Sequence, residues 1–527
     1  MRYTDFDKTA AYRQISDYAA TWKGIDFKAV LLTGRVQQSQ VPMAAGLTYS
    51  WAAKAIDGNA LKLFQILADE EELIAKYQAL LNGEVVNTGE KRKVLHHLTR
   101  GELGQPVIEN GKNIGEFYQE ELRRFGDFAE AVHEGRFKGS TGKPFTTVVQ
   151  IGIGGSDLGP RAMYLALENW ATAQGVKKLD AKFISNVDPD DASAVITSVP
   201  LDQTLFVLVS KSGTTQETLA NELFVKDKLH KAGLDSAKHM VAVTSETSPL
   251  ARNPAYLDSF YIDDYIGGRY SSTSAVGGCV LSLAFDPVVF RYFLAGAAEA
   301  DRLALEPDIL KNAALLDALI GVWERNFLHY PYTAVLPYSQ ALSRFPAHLQ
   351  QLDMESNGKR VNRDGHPITY NTGPVVFGEP GTNGQHSFYQ LLHQGSNIVP
   401  LQFIGFTDSQ KGDDVTVDGS VSQTKLKANL VAQIVAFAKG QSDDSNLNKH
   451  FPGGRPSSLI YGKQLNPATL GSLLAHFENK VMFQGFVWNL NSFDQEGVQL
   501  GKILTKKVLA GNSGDSALDA YSKMLGI

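Results

Sequence analysis

Short apolar runs at 147–153, 182–187, 205–209 and 240–244 alternate with amphipathic stretches, and each run is followed by Gly, Ser or Asp. Runs of this length, alternating with helical patterns, predict parallel strands covered by helices on both faces. After a helical connector at about 290–328, a second α/β rhythm starts at 332–336 and includes 399–406. Two such units in tandem suggest an old duplication. Residues 1–135 read differently: Leu61, Leu63, Phe64, Leu67 and Leu73 recur at helical spacing, and no strand-turn-strand rhythm is visible. Polar, turn-rich stretches at 413–423 and 441–458 read as surface loops. The tail from about 505 reads as helical, packed on its own domain or on a partner. The expected fold class is therefore α/β. Two doubly wound parallel-sheet domains lie at 136–289 and 290–504, a mainly helical N-terminal region at 1–135 packs on the core, and a helical tail occupies 505–527.

Composition narrows the class. At 527 residues the chain is too long for one compact core, which agrees with two domains. With 43% hydrophobic and 20% charged residues it has the balance of a soluble globular protein. A formal charge of −6 argues against a nucleic-acid surface and leaves room for a locally basic pocket that takes an acidic substrate. Cys279 stands alone in an apolar run, so no internal disulfide or multi-cysteine metal site can form, and it is expected in the core. The N-terminus is polar and acidic, and no apolar stretch is long enough to span a membrane. The expectation is a cytoplasmic enzyme with neither nucleic acid nor membrane as partner.

Chemistry collects at strand ends, where parallel sheets bind ligands. SKSGTTQET (210–218) follows one apolar run and opens a helix whose apolar face is read as Leu219, Leu223 and Phe224. Its hydroxyls, Lys211 and the free amides of a helix start suit a phosphate. The alternative is a helix cap, because Thr214 and Glu217 fit a T-x-x-E capping box. GIGGSDLGP (152–160) ends another run. It fails the G-x-G-x-x-G dinucleotide frame at Asp157, and Gly142-Lys143 fails the P-loop pattern at Phe137 and Pro144. What remains is either a sugar or phosphate loop with Ser156 as a donor, or a tight turn between strand and helix.

Four more segments hold candidate groups. IGGRYSSTSAVGG (266–278) carries Arg269, either aimed at a polarised oxygen or simply solvated. QLDMESNGK (351–359) places Glu355 at a helix end, where the dipole disfavours the anion and raises its basicity; the alternative is a surface acid in a turn. GTNGQHSFYQLLHQG (381–395) holds His386, an acid or base or a structural histidine. GFVWNLNSFDQEGVQLGK (485–502) supplies Ser492, Gln495 and Lys502.

Taken together and in order, these segments resemble the glucose-6-phosphate isomerase family, also called the phosphoglucose isomerase family. The likeness runs from NTGEKRKVLHHLTRG at about residue 87 to about residue 502. It implies two sugar-isomerase (SIS-type) domains, a homodimer with shared active sites and no cofactor; no metal is expected either, since no ligand cluster is visible. The resemblance assigns the sugar phosphate to Ser210, Lys211, Ser212, Thr215 and Thr218, with Gly155 and Ser156 nearby. By the same likeness Glu355 shuttles a proton between C2 and C1, Arg269 stabilises the enediolate oxygen, and His386 with Lys502 opens the ring. Gln351 and Gln495 become substrate contacts. Departures from the family pattern are Gln499 in place of the usual glutamate, Gly454, Ser212-Gly213 and Thr273. Two other readings compete: a related isomerase with relaxed specificity that also takes mannose 6-phosphate, and a non-catalytic sugar-phosphate sensor. A sensor needs the phosphate grip but no base. A metal-dependent hydride shift is disfavoured because no ligand cluster is visible in the sequence.

Overall fold

The computed structural model describes residues 2–511 and 513–527. Its centre is two sheets. The first is built from β3 (Thr147–Ile151), β4 (Asp180–Ile184), β5 (Thr204–Val209), β6 (Met240–Thr244) and β7 (Ser259–Tyr261). Their order is β7-β6-β5-β3-β4, and every neighbouring pair is parallel. Strands β3, β5 and β6 are buried at every position, as continuous apolar runs sandwiched between helices must be. The second sheet takes β1 (Gln40–Pro42), β2 (Thr48–Ala53), β8 (Tyr332–Pro337), β9 (Val375–Phe377), β10 (Leu401–Phe406) and β11 (Ser457–Gly462) in the order β1-β2-β11-β10-β8-β9. From β11 to β9 it is parallel; β2 joins β11 antiparallel, and β1 joins β2 antiparallel.

The strand runs expected at 147–153, 205–209, 240–244, 332–336 and 399–406 are therefore present to within a few residues. The N-terminal region carries helices at Ala10–Ala20, Gly58–Glu70, Leu73–Leu81 and Ile114–His133. It also contributes the hairpin β1–β2, which extends the second sheet. Strand β1 is three residues long and β2 alternates only briefly, with Tyr49 and Trp51 inside, so neither gives a period long enough to stand out.

Helices cover both sheets. The innermost is α10 (Pro467–Val487), buried along almost its whole circumference and capped by an Asn466/Thr469 box. It lies against α6 (Pro287–Leu303) at backbone contact. A Cβ on Gly471 would sit 1.9 Å from the Phe293 carbonyl oxygen, and one on Gly296 1.9 Å from that of Ala468. In α5 (Ala275–Ala284) every residue is buried. Cys279 lies there as expected, and burial pushes its thiol far above the usual range. Helix α7 (Ala313–Val322) completes the layer around α10. The tail forms α11 (Gln499–Leu509) and α12 (Ser516–Leu525), neither of which buries a residue. Among the described residues no helix is long and apolar enough to cross a membrane.

Candidate active site

Most of the candidate residues converge at the carboxyl ends of the first sheet, and three do not. After β3 the chain makes a 3-10 turn at Gly154–Ser156 and enters α2 (Leu158–Ala173). The loop preceding Arg269 lies directly on it: a Cβ on Gly155 would fall 2.2 Å from the Gly268 carbonyl carbon. Only glycine permits that approach, and it brings the Ser156 turn and Arg269 to one place.

Arg269 is buried, and its guanidinium is held on two edges. Nε donates to Ser356 Oγ at 2.7 Å, and Nη2 donates to the carbonyls of Ser492 at 2.6 Å and Asp494 at 2.9 Å. Tyr270 meets Ser356 Oγ from the other side at 3.0 Å. The third nitrogen, Nη1, makes no hydrogen bond and faces Glu355 Oε2 at 3.6 Å. That carboxylate oxygen is itself buried without a hydrogen-bond partner. A buried arginine nitrogen and a buried carboxylate oxygen, both open, are costly to keep unless a ligand completes them.

Glu355 does stand at the end of a helix, of an unusual kind. Helix α8 (Phe345–Gln350) continues into a π-helical turn, Gln351–Glu355. Such wide turns are frequent at functional sites because they redirect a side chain within one helical turn. Gln351 opens the same turn; its Oε1 is buried without a partner, and its Nε2 lies 3.4 Å from where a Cβ on Gly154 would stand. Lys359, which the sequence reading did not single out, donates to the Asn491 carbonyl at 2.6 Å and pairs with Asp494. Burial holds its ammonium below the usual lysine range and Arg269 adds to this, while Asp494 and Glu355 oppose it.

The hydroxyl-rich segment lies at the end of β5. Thr215 is the N-cap of α4 (Gln216–Lys231), and no side chain caps the helix. The capping box of Thr214 and Glu217 is thus not formed. Thr214 instead donates its amide and its hydroxyl to Ser212 Oγ at 3.2 and 2.9 Å. The first amides of α4 have no side-chain acceptor, so this helix start remains open to an anion. Ser210 is buried and donates to Thr215 Oγ1 at 3.3 Å. Lys211 reaches the Ile266 carbonyl at 3.4 Å, which ties the segment to the Arg269 loop. The inward face of α4 also differs from expectation. Thr218, Asn221, Glu222 and Val225 are buried, whereas Leu223 is exposed. The polar residues tolerate burial because they are bonded: Asn221 to the Asn186 carbonyl at 2.9 Å, and Glu222 to Lys226 and Tyr256.

Three expected residues stand apart. Gln495 is exposed, one residue beyond the Asp494 carbonyl that holds Arg269. His386 ends a 3-10 turn at Asn383–His386, and Lys502 lies on α11; both are exposed. Among the described residues no side-chain hydrogen bond or ion pair joins either of them to the Glu355–Arg269 pair. Nor do three or more His, Cys, Asp or Glu side chains come together as metal ligands among the described residues.

The family pattern described as phosphoglucose isomerase matches residues 50–523, nearly the full chain. The chain belongs to the phosphoglucose isomerase family. It is 61% identical to the glucose-6-phosphate isomerase of Treponema denticola, with all of both chains covered. It is 49% identical to the glucose-6-phosphate isomerase of Borreliella afzelii, over 94% of this chain and 95% of that one. The crystal structure of a glucose-6-phosphate isomerase from Chlamydia trachomatis superposes with a TM-score of 0.92 at 43% identity, covering 99% of each chain. Family membership accounts for the two parallel-sheet units and for the order of the motifs.

Proposed function

We propose that this chain interconverts glucose 6-phosphate and fructose 6-phosphate by proton transfer through a cis-enediolate. One observation carries the reading: Glu355 Oε2 and Arg269 Nη1 lie 3.6 Å apart, both buried and both without hydrogen-bond partners. Moving a carbonyl from C1 to C2 requires a base that takes the C2 proton and returns it to C1, while a hydroxyl proton passes from O2 to O1. Glu355 is that base. Arg269, locked by Ser356 and two carbonyls, offers its remaining N–H groups to the oxygen on which negative charge develops. Its position is fixed before substrate arrives, so little reorganisation is needed in the transition state.

The phosphate sits at the open start of α4, gripped by Ser210, Lys211, Ser212, Thr215 and Thr218, with Gly155 and Ser156 on the opposite wall. Gln351 and Gln495 contact the sugar. Before isomerisation the ring must open, and His386 with Lys502 supplies the acid. The exposure of His386 and Lys502 supports a site completed by a second copy of this chain. So do the uncovered apolar residues of the tail, among them Leu500, Ile503, Tyr521 and Met524. The working unit is a homodimer, and its place is the cytoplasm.

A coupled assay that follows fructose 6-phosphate conversion tests the activity. In the same assay Glu355→Gln should keep KM near the wild-type value and lower kcat by about 10²–10⁴-fold, the usual contribution of a general base. A variant that retains more than about a tenth of wild-type kcat removes Glu355 from the role of base.

A further inference from the structure

Behind the turn that carries Glu355 lies a polar chamber that the reaction scheme does not use. Asp353 is buried, two residues before Glu355, and its Oδ1 has no hydrogen-bond partner. Two small cavities, each with about 20 Å³ of room for water centres, share Thr333, Asp353, Gln402 and Lys480 in their walls. Each is large enough for about one water molecule. Gln484 Oε1, in the wall of the first, is also buried without a donor. Lys480 donates to Gln402 Oε1 at 3.2 Å and lies 3.0 Å from Asp317 Oδ2, which leaves one of its three protons unassigned. Two acceptors and one donor thus surround a space of water size.

Most of the charges around this chamber are paired with one another. Lys54, just after β2, holds both Glu324 oxygens at 3.0 Å, and Lys480 with His476, both on α10, holds Asp317 of α7. Arg325, also in the wall of the first cavity, donates to the Thr372 carbonyl at 2.7 Å. Among the described residues no ion pair reaches Asp353, and an isolated buried carboxylate costs several kcal/mol. Burial accordingly pushes Asp353 up to about 7, with Lys480 drawing it back and Asp317 adding to the rise.

We propose that Asp353 is a positioning residue for Glu355. In its protonated form, bridged by one buried water to Lys480 and Gln484, it ties the π-turn to α10 and so fixes the direction of the Glu355 carboxylate. Single π-turns are frequent at functional sites, and a side-chain tie to a neighbouring helix fixes where such a turn points. A misplacement of about 1 Å at a reacting group is enough to cost roughly 10²-fold in rate. The inference rests on the reading of Glu355 as the base.

The test compares Asp353→Asn, Asp353→Leu and Glu355→Gln in steady-state kinetics on the full-length enzyme. Asparagine keeps the volume, the neutrality and the polar contacts, so kcat should stay within about threefold of wild type. Leucine cannot hold the water, so kcat should fall about tenfold or more while KM stays within about twofold. Should Asp353→Leu fail to fold, Gln484→Leu removes the other anchor of the water and should give the same split in milder form. Asparagine as impaired as leucine would overturn the neutral-acid role, and wild-type kcat in both leucine variants would overturn the positioning role. An active Glu355→Gln sinks the base assignment itself. An inactive Glu355→Gln beside a fully active Asp353→Leu sinks only the present inference.

Discussion

Lys211, proposed for the phosphate grip, has its ammonium already engaged. It lies 3.4 Å from the Ile266 carbonyl and 3.6 Å from Asp264, a carboxylate that also pairs with Arg92 at 3.4 Å. Asp264 is well exposed, so its hold contributes at most about 1 kcal/mol. A phosphate offers a charge-assisted hydrogen bond worth about 1.5–3 kcal/mol. A substrate phosphate at the proposed grip would therefore win the lysine. Lys211→Ala should raise KM about 10- to 100-fold with little change in kcat, because the grip is remote from the reacting carbons and equal in ground and transition states. Steady-state kinetics decide it, and an unchanged KM would remove Lys211 from the grip. Residues of this kind were visible in the sequence because hydroxyls, glycines and a lysine at a strand end have few structural uses. Ser356, Tyr270, Lys359 and Asp494, which hold Arg269 and its surroundings, were not. Their side chains are ordinary, and only the fold brings 269, 356 and 494 together.

A central strand of each sheet leads through a loop to a helix, with different outcomes. In the first, β5 leads to α4, whose start is uncapped. In the second, the corresponding central strand β10 leads to α9 (Ser422–Lys439), and there the chain's own Asp414 fills the helix start. It accepts from the amides of Val415 and Ser422 at 2.8 Å and Gln423 at 2.9 Å. These bonds, led by that from Gln423, hold the Asp414 carboxyl below the usual aspartate range. A depressed folded-state value means that the bonds stabilise the fold above the unfolded value of about 3.9 and stop doing so as pH falls through the folded one. Asp414→Ala should therefore speed amide exchange at the start of α9 near neutral pH without changing kcat. The difference from wild type should shrink below about pH 4. Equal exchange in the two proteins at pH 7 would show that the carboxylate does not hold this helix. At this scale the strands were legible, since a sheet covered on both faces demands uninterrupted apolar runs. The inner face of α4 was not, because three of its buried positions, Thr218, Asn221 and Glu222, are polar. The hairpin β1–β2 escaped notice because its strands are too short to show a period.

At the scale of the molecule, one chain leaves its surface unfinished. The tail helices α11 and α12 bury nothing, although Leu500, Ile503, Leu509, Tyr521, Met524 and Leu525 would suit a covered face. Lys502 sits among them, and His386 stands exposed at the end of its turn. A two-fold dimer would cover such faces in pairs and would exchange the same elements in both directions, giving two equivalent shared sites. In that arrangement each site takes Glu355 from one chain and His386 from the other. The consequence is measurable by complementation. Glu355→Gln chains and His386→Ala chains, each nearly inactive alone, are refolded together. A mixed dimer then has one site with both lesions and one site with neither. With random pairing about half of the dimers are mixed, so about a quarter of wild-type activity should return. If His386 serves the site of its own chain, every site in every dimer keeps one lesion and no activity returns. Native mass spectrometry separates the two explanations of a negative result, since mixed dimers that form but stay inactive discard the shared site. Activity that returns in proportion to the mixed species places His386 across the interface.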